Sequence, residues 1–322
     1  MKITIVGPGA LGCLVGASLV RAGEDVWFLD NRPERAKKLS NNGIKVEGLS
    51  GDYNVKVKAT ADSKDIGASD LVIICVKSYD TEEATKKAKP AIGDSTLVLT
   101  LQNGLGNVEA IVEIVGQEKV IGGVTSHGST YLGDGHIRHA GRGETIIGRW
   151  FQPSARKDIK KWHIPRRRLE EVAAILKKAN FETKISDNIK DVIWSKLVIN
   201  VGINALGAIT RLKNGDLIKY EWSRNIMRQA VLEASKVAKR RRINLIYSDP
   251  IKKVESVCSS CDSNVCSMLQ DILDGQRTEI DYINGAIVSE AENLEIPAPV
   301  NSVLTDLVKT LEASYVKQVK KE

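Results

Sequence analysis

The chain has 322 residues, 42% hydrophobic and 27% charged, which is enough apolar material for a core in each of two domains. No uninterrupted apolar stretch reaches the roughly 18 residues of a membrane span, and the opening Met1-Lys2-Ile3-Thr4-Ile5-Val6-Gly7 reads as a strand entering a glycine turn rather than a signal sequence, so a cytoplasmic protein with no membrane partner is expected. The formal net charge of +7 is interspersed with acids except at Arg166-Arg167-Arg168 and Arg240-Arg241-Arg242, a pattern that attraction to anionic small molecules explains without a nucleic-acid partner.

Ile3 to Val6 is a short apolar strand, Gly7-Pro8-Gly9-Ala10-Leu11-Gly12 follows at once, and Leu14 to Ala22 continues with helical spacing. That is GxGxxG in the context it requires. Gly7 permits the tight turn, Gly9 lets backbone approach a pyrophosphate, and Gly12 lets the helix pack on the strand, so residues 7–12 are expected to bind a dinucleotide. A second strand, Val26 to Leu29, ends at Asp30, where an acid can accept hydrogen bonds from the adenosine ribose and would favour NAD. Arg32 and Arg35 pull towards a 2′-phosphate, since an arginine two residues on can swing over that phosphate if the aspartate turns to solvent, and both cofactors stay open.

Further strands are expected at 71–76, 96–101 and 120–122, separated by helices, which makes an α/β fold with a doubly wound parallel sheet. Ligands bind at the carboxyl ends of such strands, so Lys77 and Asn103 are placed beside the dinucleotide; a surface lysine and a plain Asn-Gly turn are the alternatives. Residues 127–148 read as antiparallel strands extending the sheet. Ser129, in this segment, is counted with the cofactor-binding residues, whereas His127, His136 and His139 lack carboxylates at ligand spacing and are not expected to be catalytic. Residues 150–168 read as a surface excursion before a helix at 169–179, and the Rossmann-type domain is drawn as 1–185.

The remainder, 186–322, is expected to be all-helical, with long amphipathic patterns at 189–209, 222–241 and 267–291 and a terminal helix from Val300 to about Lys317. Lys196, Asn200 and Asn204 stand four apart in an apolar run and, at about 100° per residue, share one helix face. Three polar groups among Leu, Val and Ile suit a cleft that holds a polar ligand, and desolvation would lower the lysine pKa towards the working pH. The other reading has Lys196 reaching for water and the asparagines bonding nearby backbone. Five cysteines argue against a disulfide framework, and Cys258, Cys261 and Cys266 have no second CxxC or histidine near them in sequence, so no metal is expected. Glu279 and Ile283 are expected on one helix face, where the carboxylate either pairs with Lys196 or is solvated near Arg277.

Taken together, residues 7–12, Val76-Lys77-Ser78-Tyr79, Gln102-Asn103-Gly104-Leu105-Gly106, Trp194 through Asn204, Asn214-Gly215 and Ser267 through Gly285 resemble the ketopantoate reductase (2-dehydropantoate 2-reductase) family. The resemblance implies NADPH-dependent reduction of 2-dehydropantoate to pantoate, on the route to pantothenate and coenzyme A. By motif, Lys196 resembles the general acid and Glu279 the helix carboxylate facing cofactor and active site. Asn103 resembles the residue that contacts cofactor and substrate, and Asn200, Asn204, Asn214 and Ser267 resemble substrate contacts. A homodimer is the expected assembly. The family often carries a basic residue directly after the second strand, where this chain has Asp30-Asn31, so NADH stands beside NADPH. Cys266 replaces a small hydroxyl residue, which raises the idea of exchange with, or feedback by, coenzyme A. Competing readings are a reductase of another branched 2-oxo acid and a non-catalytic dinucleotide sensor.

Overall fold

The computed structural model describes residues 1–151 and 164–318. Residues 152–163, most of the expected surface excursion, lie outside that range. The chain forms two compact units, Met1–Gln102 with Gly106–Lys190, and Asn103–Leu105 with Asp191–Glu322. The tripeptide Asn103–Leu105 therefore belongs with the helical unit, although its place in the sequence put it with the sheet.

In chain order the first unit contains Lys2–Val6 (β1), Ala10–Arg21 (α1), Asp25–Leu29 (β2), Pro33–Asn42 (α2), Ile44–Gly48 (β3), Tyr53–Val55 (β4), Lys58–Thr60 (β5), Ser69–Ile74 (β6), Thr81–Ala88 (α3) and Ile92–Thr100 (β7). Asn107–Val115 (α4), Val120–Thr125 (β8), Gly128–Gly133 (β9), His136–Gly141 (β10), Thr145–Arg149 (β11), Arg166–Lys178 (α5) and Thr183–Ser186 (β12) complete it. The main sheet runs β12-β11-β8-β7-β6-β1-β2-β5. From β8 to β5 all neighbours are parallel, and β11 joins antiparallel to β8. Ile5 lies opposite Phe28 on one side and Ile73 on the other, and all three are fully buried, which is why these strands read as continuous apolar runs. Gly16 on α1 lets the helix lie on the ring of Phe28; a Cβ there would be 2.2 Å from Cζ.

Two features differ from the sequence expectation. Only part of 127–148 extends the main sheet: β11 does, whereas β9 and β10 pair with β3 and β4 in a separate four-stranded sheet, order β4-β3-β10-β9. Strands β3, β4 and β5 were unexpected because they are three to five residues long and carry little apolar alternation.

The second unit is built on Ile189–Thr210 (α6), which starts two residues inside the first unit. Among the described residues α6 is the one helix long and apolar enough to cross a membrane, but 78% of its apolar window is buried, as in a core helix. Around it pack Glu221–Arg240 (α7), Pro250–Ser260 (α8), Ser267–Leu273 (α9), Asn284–Glu292 (α10) and Pro299–Ala313 (α11). Gly202 admits close packing, since a Cβ there would be 2.8 Å from Val231 and 3.0 Å from Val254. Helix α11 is capped from α7: Glu233 accepts from the backbone N–H groups of Val300 and Asn301, each at 3.0 Å. The single helix expected over 267–291 is in fact broken. Helix α9 ends at Leu273, Gly275 takes a left-handed φ of 63°, and a 3-10 turn, Ile280–Tyr282, precedes α10.

Candidate functional site

In the first unit each glycine of the turn after β1 has a distinct physical reason. Gly7 has φ 91°, and a Cβ on it would be 2.5 Å from Val76; one on Gly12 would be 2.2 Å from the Gly7 carbonyl oxygen. A Cβ on Gly9 would meet nothing within 4 Å. The first two are thus demanded by packing, while Gly9 faces open space at the start of α1. Gly9 is also the N-cap, and no side chain caps the helix there. Pro8 is buried, Ala10 and Leu11 are partly exposed, and the uncapped N–H groups with their helix dipole suit a pyrophosphate. These residues fit a dinucleotide.

Asp30 does not face solvent. Its side chain is fully buried and holds Arg35 in a two-point ion pair: Nη2 donates to Oδ1 at 2.7 Å, and Nε donates to Oδ2. The backbone N–H of Arg32 also donates to Oδ1, at 3.0 Å. Of the two arrangements the sequence leaves open, the one with Asp30 turned to solvent is not present: Arg35 neutralises the carboxylate in place. The guanidinium of Arg32 is half-exposed and pairs with Asp134 at 3.1 Å, and Lys38 reaches the same carboxylate at 3.8 Å. Asp134 and Tyr131, whose hydroxyl bonds it, come from the β9–β10 hairpin, and no sequence signal placed them here.

A hydrogen-bond network fixes the carboxyl ends of β6 and β7. Gln102 donates from Nε2 to the Val76 carbonyl and to Thr81 Oγ1, both at 2.8 Å, and accepts from Thr100 Oγ1 at 2.9 Å. Thr81 donates to Asn107 Oδ1 at 2.8 Å, and Asn107 Nδ2 donates to Ser78 Oγ at 3.1 Å. Lys77, partly exposed, is the residue before the 3-10 turn Ser78–Asp80 in this network. Ser129 is on β9 opposite His139, and no hydrogen bond joins it to the glycine turn among the described residues.

The helical unit gathers the other candidates. Lys196 and Asn200 on α6 are partly exposed and Asn204 is buried, so the ladder runs inward along one face. Burial pushes the Lys196 pKa down from 10.5 to about 8, and the negative charge of Glu279 acts in the opposite direction. Glu279 is itself buried, but it lies just before the 3-10 turn and not on a helix face shared with Ile283. The loop from Cys261 to Cys266 connects Asn204, Asn214 and Ser267. Asn214 N–H donates to the Asn264 carbonyl at 2.9 Å, Cys266 Sγ lies 3.6 Å from the Asn204 carbonyl, and Ser267 is the first residue of α9. Asn214 Oδ1 is buried without a hydrogen-bond partner among the described residues, an acceptor position a substrate hydroxyl would satisfy. Asn103 is in this unit too, in the tripeptide held by the Leu105 N–H donating to the Tyr282 carbonyl at 3.0 Å.

All five cysteines are free. Burial pushes the Cys266 thiol up to about 11, so it offers almost no thiolate for exchange at neutral pH. Cys258 is pushed up to about 12, also by burial. Among the described residues no three His, Cys, Asp or Glu side chains converge as metal ligands.

Residues 3–152 match the family described as Ketopantoate reductase PanE/ApbA, and residues 188–312 match Ketopantoate reductase PanE/ApbA C terminal. The 2-dehydropantoate 2-reductase of Pyrococcus horikoshii is 37% identical over 314 residues, 97% of this chain and 98% of that one. The Halobacterium salinarum 2-dehydropantoate 2-reductase is 34% identical over 313 residues, covering 96% and 98%. A PanE/ApbA family ketopantoate reductase from Ralstonia eutropha has a similar crystal structure, with TM-score 0.86 and 35% identity over 98% of this chain and 99% of that one. D-mandelate dehydrogenase, solved with NADH and anilino(oxo)acetate, also gives TM-score 0.86, at 27% identity with the same coverage. With both halves matched in order and relatives aligned over nearly the full length, the chain belongs to the ketopantoate reductase family of oxidoreductases.

Proposed function

We propose that this chain reduces the ketone of 2-dehydropantoate to give (R)-pantoate, on the route to pantothenate and coenzyme A, with Lys196 as the general acid. The observation that carries this reading is Lys196 itself: a lysine in an apolar helix whose pKa is lowered to about 8 by burial, with the buried Glu279 acting on it. At neutral pH such a lysine is still protonated, yet it gives up its proton far more readily than an ordinary lysine. The nicotinamide cofactor, when bound, supplies the hydride that reaches the ketone carbon. As negative charge develops on the ketone oxygen, the Lys196 ammonium stabilises it and transfers a proton from Nζ to that oxygen, leaving a neutral amine that regains its proton from solvent. Glu279 favours the charged ammonium before transfer. Asn103, Asn200, Asn204, Asn214 and Ser267 supply amides and a hydroxyl for the carboxylate and hydroxyl of the substrate.

NADPH is the preferred cofactor in this reading. Asp30, which would repel a 2′-phosphate, is neutralised by Arg35, and the half-exposed Arg32 lies two residues further on. Residues 7–12 hold the pyrophosphate, with Lys77 and Ser129 as further cofactor contacts. A homodimer is proposed as well: Trp222 and Ile226, one turn apart on α7, are 77% and 39% exposed, and a second copy would cover them.

The likeness to D-mandelate dehydrogenase favours a second reading, reduction of a different 2-oxo acid by the same lysine. One assay separates the two. Purified protein is given NADPH or NADH with 2-dehydropantoate or an aryl 2-oxo acid, and cofactor oxidation is followed. The first reading requires kcat/KM to be highest for 2-dehydropantoate with NADPH. Turnover of the aryl acid alone would transfer the assignment to the second reading, and no oxidation with either acid would remove both.

A further inference from the structure

The first unit contains a cavity of about 540 Å³ that residues of the glycine turn do not line. Its wall comes from α1, from the loop between β3 and β4, from the β10–β11 region and from the C-terminal end of α5. Four cations face it: Arg21, Arg142, Lys177 and Lys178. Two have carboxylate partners, Lys177 with Glu182 at 3.9 Å and Lys178 with Glu24 at 3.5 Å. The other two have none among the described residues: Arg21 lies over the ring of Tyr53, 4.0 Å from its centroid, and Arg142 donates to the Leu49 carbonyl at 2.7 Å. The cavity thus carries uncompensated positive charge.

Aromatic groups line the same wall. His127 stacks on His139 with centroids 5.2 Å apart and tilts against Phe181 at 4.4 Å. His127 Nδ1 is 3.1 Å from His139 Nε2, and His139 Nδ1 bonds Ser50 Oγ. The other nitrogen of His127, Nε2, and the hydroxyl of Tyr53 are both buried without a hydrogen-bond partner among the described residues. Orphaned buried polar atoms are rare, and two lining one cavity mark positions a ligand would satisfy. Burial, His139 and Arg142 hold the His127 pKa down at about 4, so at neutral pH its imidazole is uncharged and can bond a ligand as a neutral donor or acceptor. None of these residues has a part in the proposed reduction.

We propose that this cavity is a second ligand site, for a small phosphorylated anion that carries a planar ring, of the nucleoside diphosphate class. The four cations, two of them without carboxylate partners, suit two or more phosphate charges, and a volume of about 540 Å³ exceeds what phosphates alone would fill, leaving room for the ring beside the partly exposed side chains of Tyr53 and His127. The site is separate from the glycine turn, so it would be occupied together with the cofactor and would serve as an effector site.

The test titrates the full chain with ADP and, separately, with tripolyphosphate, and follows the imidazole resonances of His127 and His139 by NMR. Arg142→Ala combined with Lys178→Ala removes two exposed cations, and the thermal midpoint confirms folding. The expected result is saturable movement of both imidazoles with ADP, weakened at least tenfold in the double variant, with tripolyphosphate binding more weakly than ADP. No movement of either imidazole at millimolar ADP would overturn the proposal. So would equal ADP affinity in the double variant, which would place binding elsewhere, for instance at the glycine turn. Tripolyphosphate binding as tightly as ADP would overturn the ring-binding part.

Discussion

The proton on Lys196 gives a direct measurement. With its pKa near 8, about ten of eleven molecules carry the proton at pH 7 and only about one of eleven at pH 9. The rate of ketone reduction at saturating substrate and cofactor should therefore level off below pH 8 and fall about tenfold per unit above it, whereas an ordinary lysine would sustain the plateau to about 10.5. Glu279→Gln removes the charge that raises this pKa. An opposite charge nearby changes a pKa by roughly 1–3 units, so the alkaline limb of the variant should move to lower pH by about one unit or more. At pH 7.5 that converts into a loss of several-fold in kcat, recovered on going to pH 6. A wild-type limb above pH 10, or superimposable limbs for the wild type and Glu279→Gln, would refute the argument. Stability should respond as well. Below pH 8 the folded and unfolded chains both hold this proton, and the folded chain bears the cost of burying it. Between 8 and 10.5 the unfolded chain binds more protons, so the contribution of Lys196 makes stability rise with pH across that window.

Three further outcomes are expected. Gly9→Ala should leave the thermal midpoint within about 2 °C and raise the cofactor KM at least tenfold, because its Cβ meets no protein atom; Gly12→Ala, with a contact of 2.2 Å to backbone, should lose several kcal/mol and unfold in ordinary expression. Arg35→Ala leaves Asp30 charged and buried, which should cost about 3 kcal/mol in urea unfolding and turn the NADPH-to-NADH ratio of kcat/KM towards NADH. Glu233→Ala takes away the acceptor for two N–H groups at the start of α11 and should cost about 1–2 kcal/mol in the same assay, with unchanged KM values.

Much of the site was readable in the chain because its residues are local. The glycine turn is six residues between a strand and a helix, and the Lys196 ladder is one helix face with period four. What escaped is what depends on partners distant in sequence. That Asp30 is consumed by Arg35 is a matter of side-chain direction, which spacing does not specify, and Tyr131 and Asp134 arrive from a sheet whose existence rests on short strands with weak patterns. The helix expected over 267–291 failed at Gly275, where amphipathic spacing continues through a left-handed residue that ends the hydrogen-bonding. Helix α8 is too short for its amphipathic pattern to stand out, although Asp249 caps it, accepting from the Lys252 N–H at 3.0 Å, and Pro250 is its first residue.

The three residues Asn103–Leu105 have a practical consequence for anyone who cuts this protein. They leave the sheet after Gln102, join the helical unit, and return at Gly106, so the polypeptide passes from one unit to the other three times. Gly104 has φ 82°, and a Cβ on it would be 2.5 Å from the Tyr282 carbonyl oxygen, so this contact within the helical unit is closely fitted. A fragment starting at Asp191 would contain every helix from α7 onward and still be incomplete. It would lack the backbone N–H that satisfies Tyr282, and a bare notch would remain beside the 3-10 turn that follows Glu279. The two halves are therefore not interchangeable modules: grafting a foreign helical half onto this sheet would require matching a three-residue insert as well as a junction, and library designs that recombine at residue 190 alone should fail more often than those that exchange 103–105 along with it.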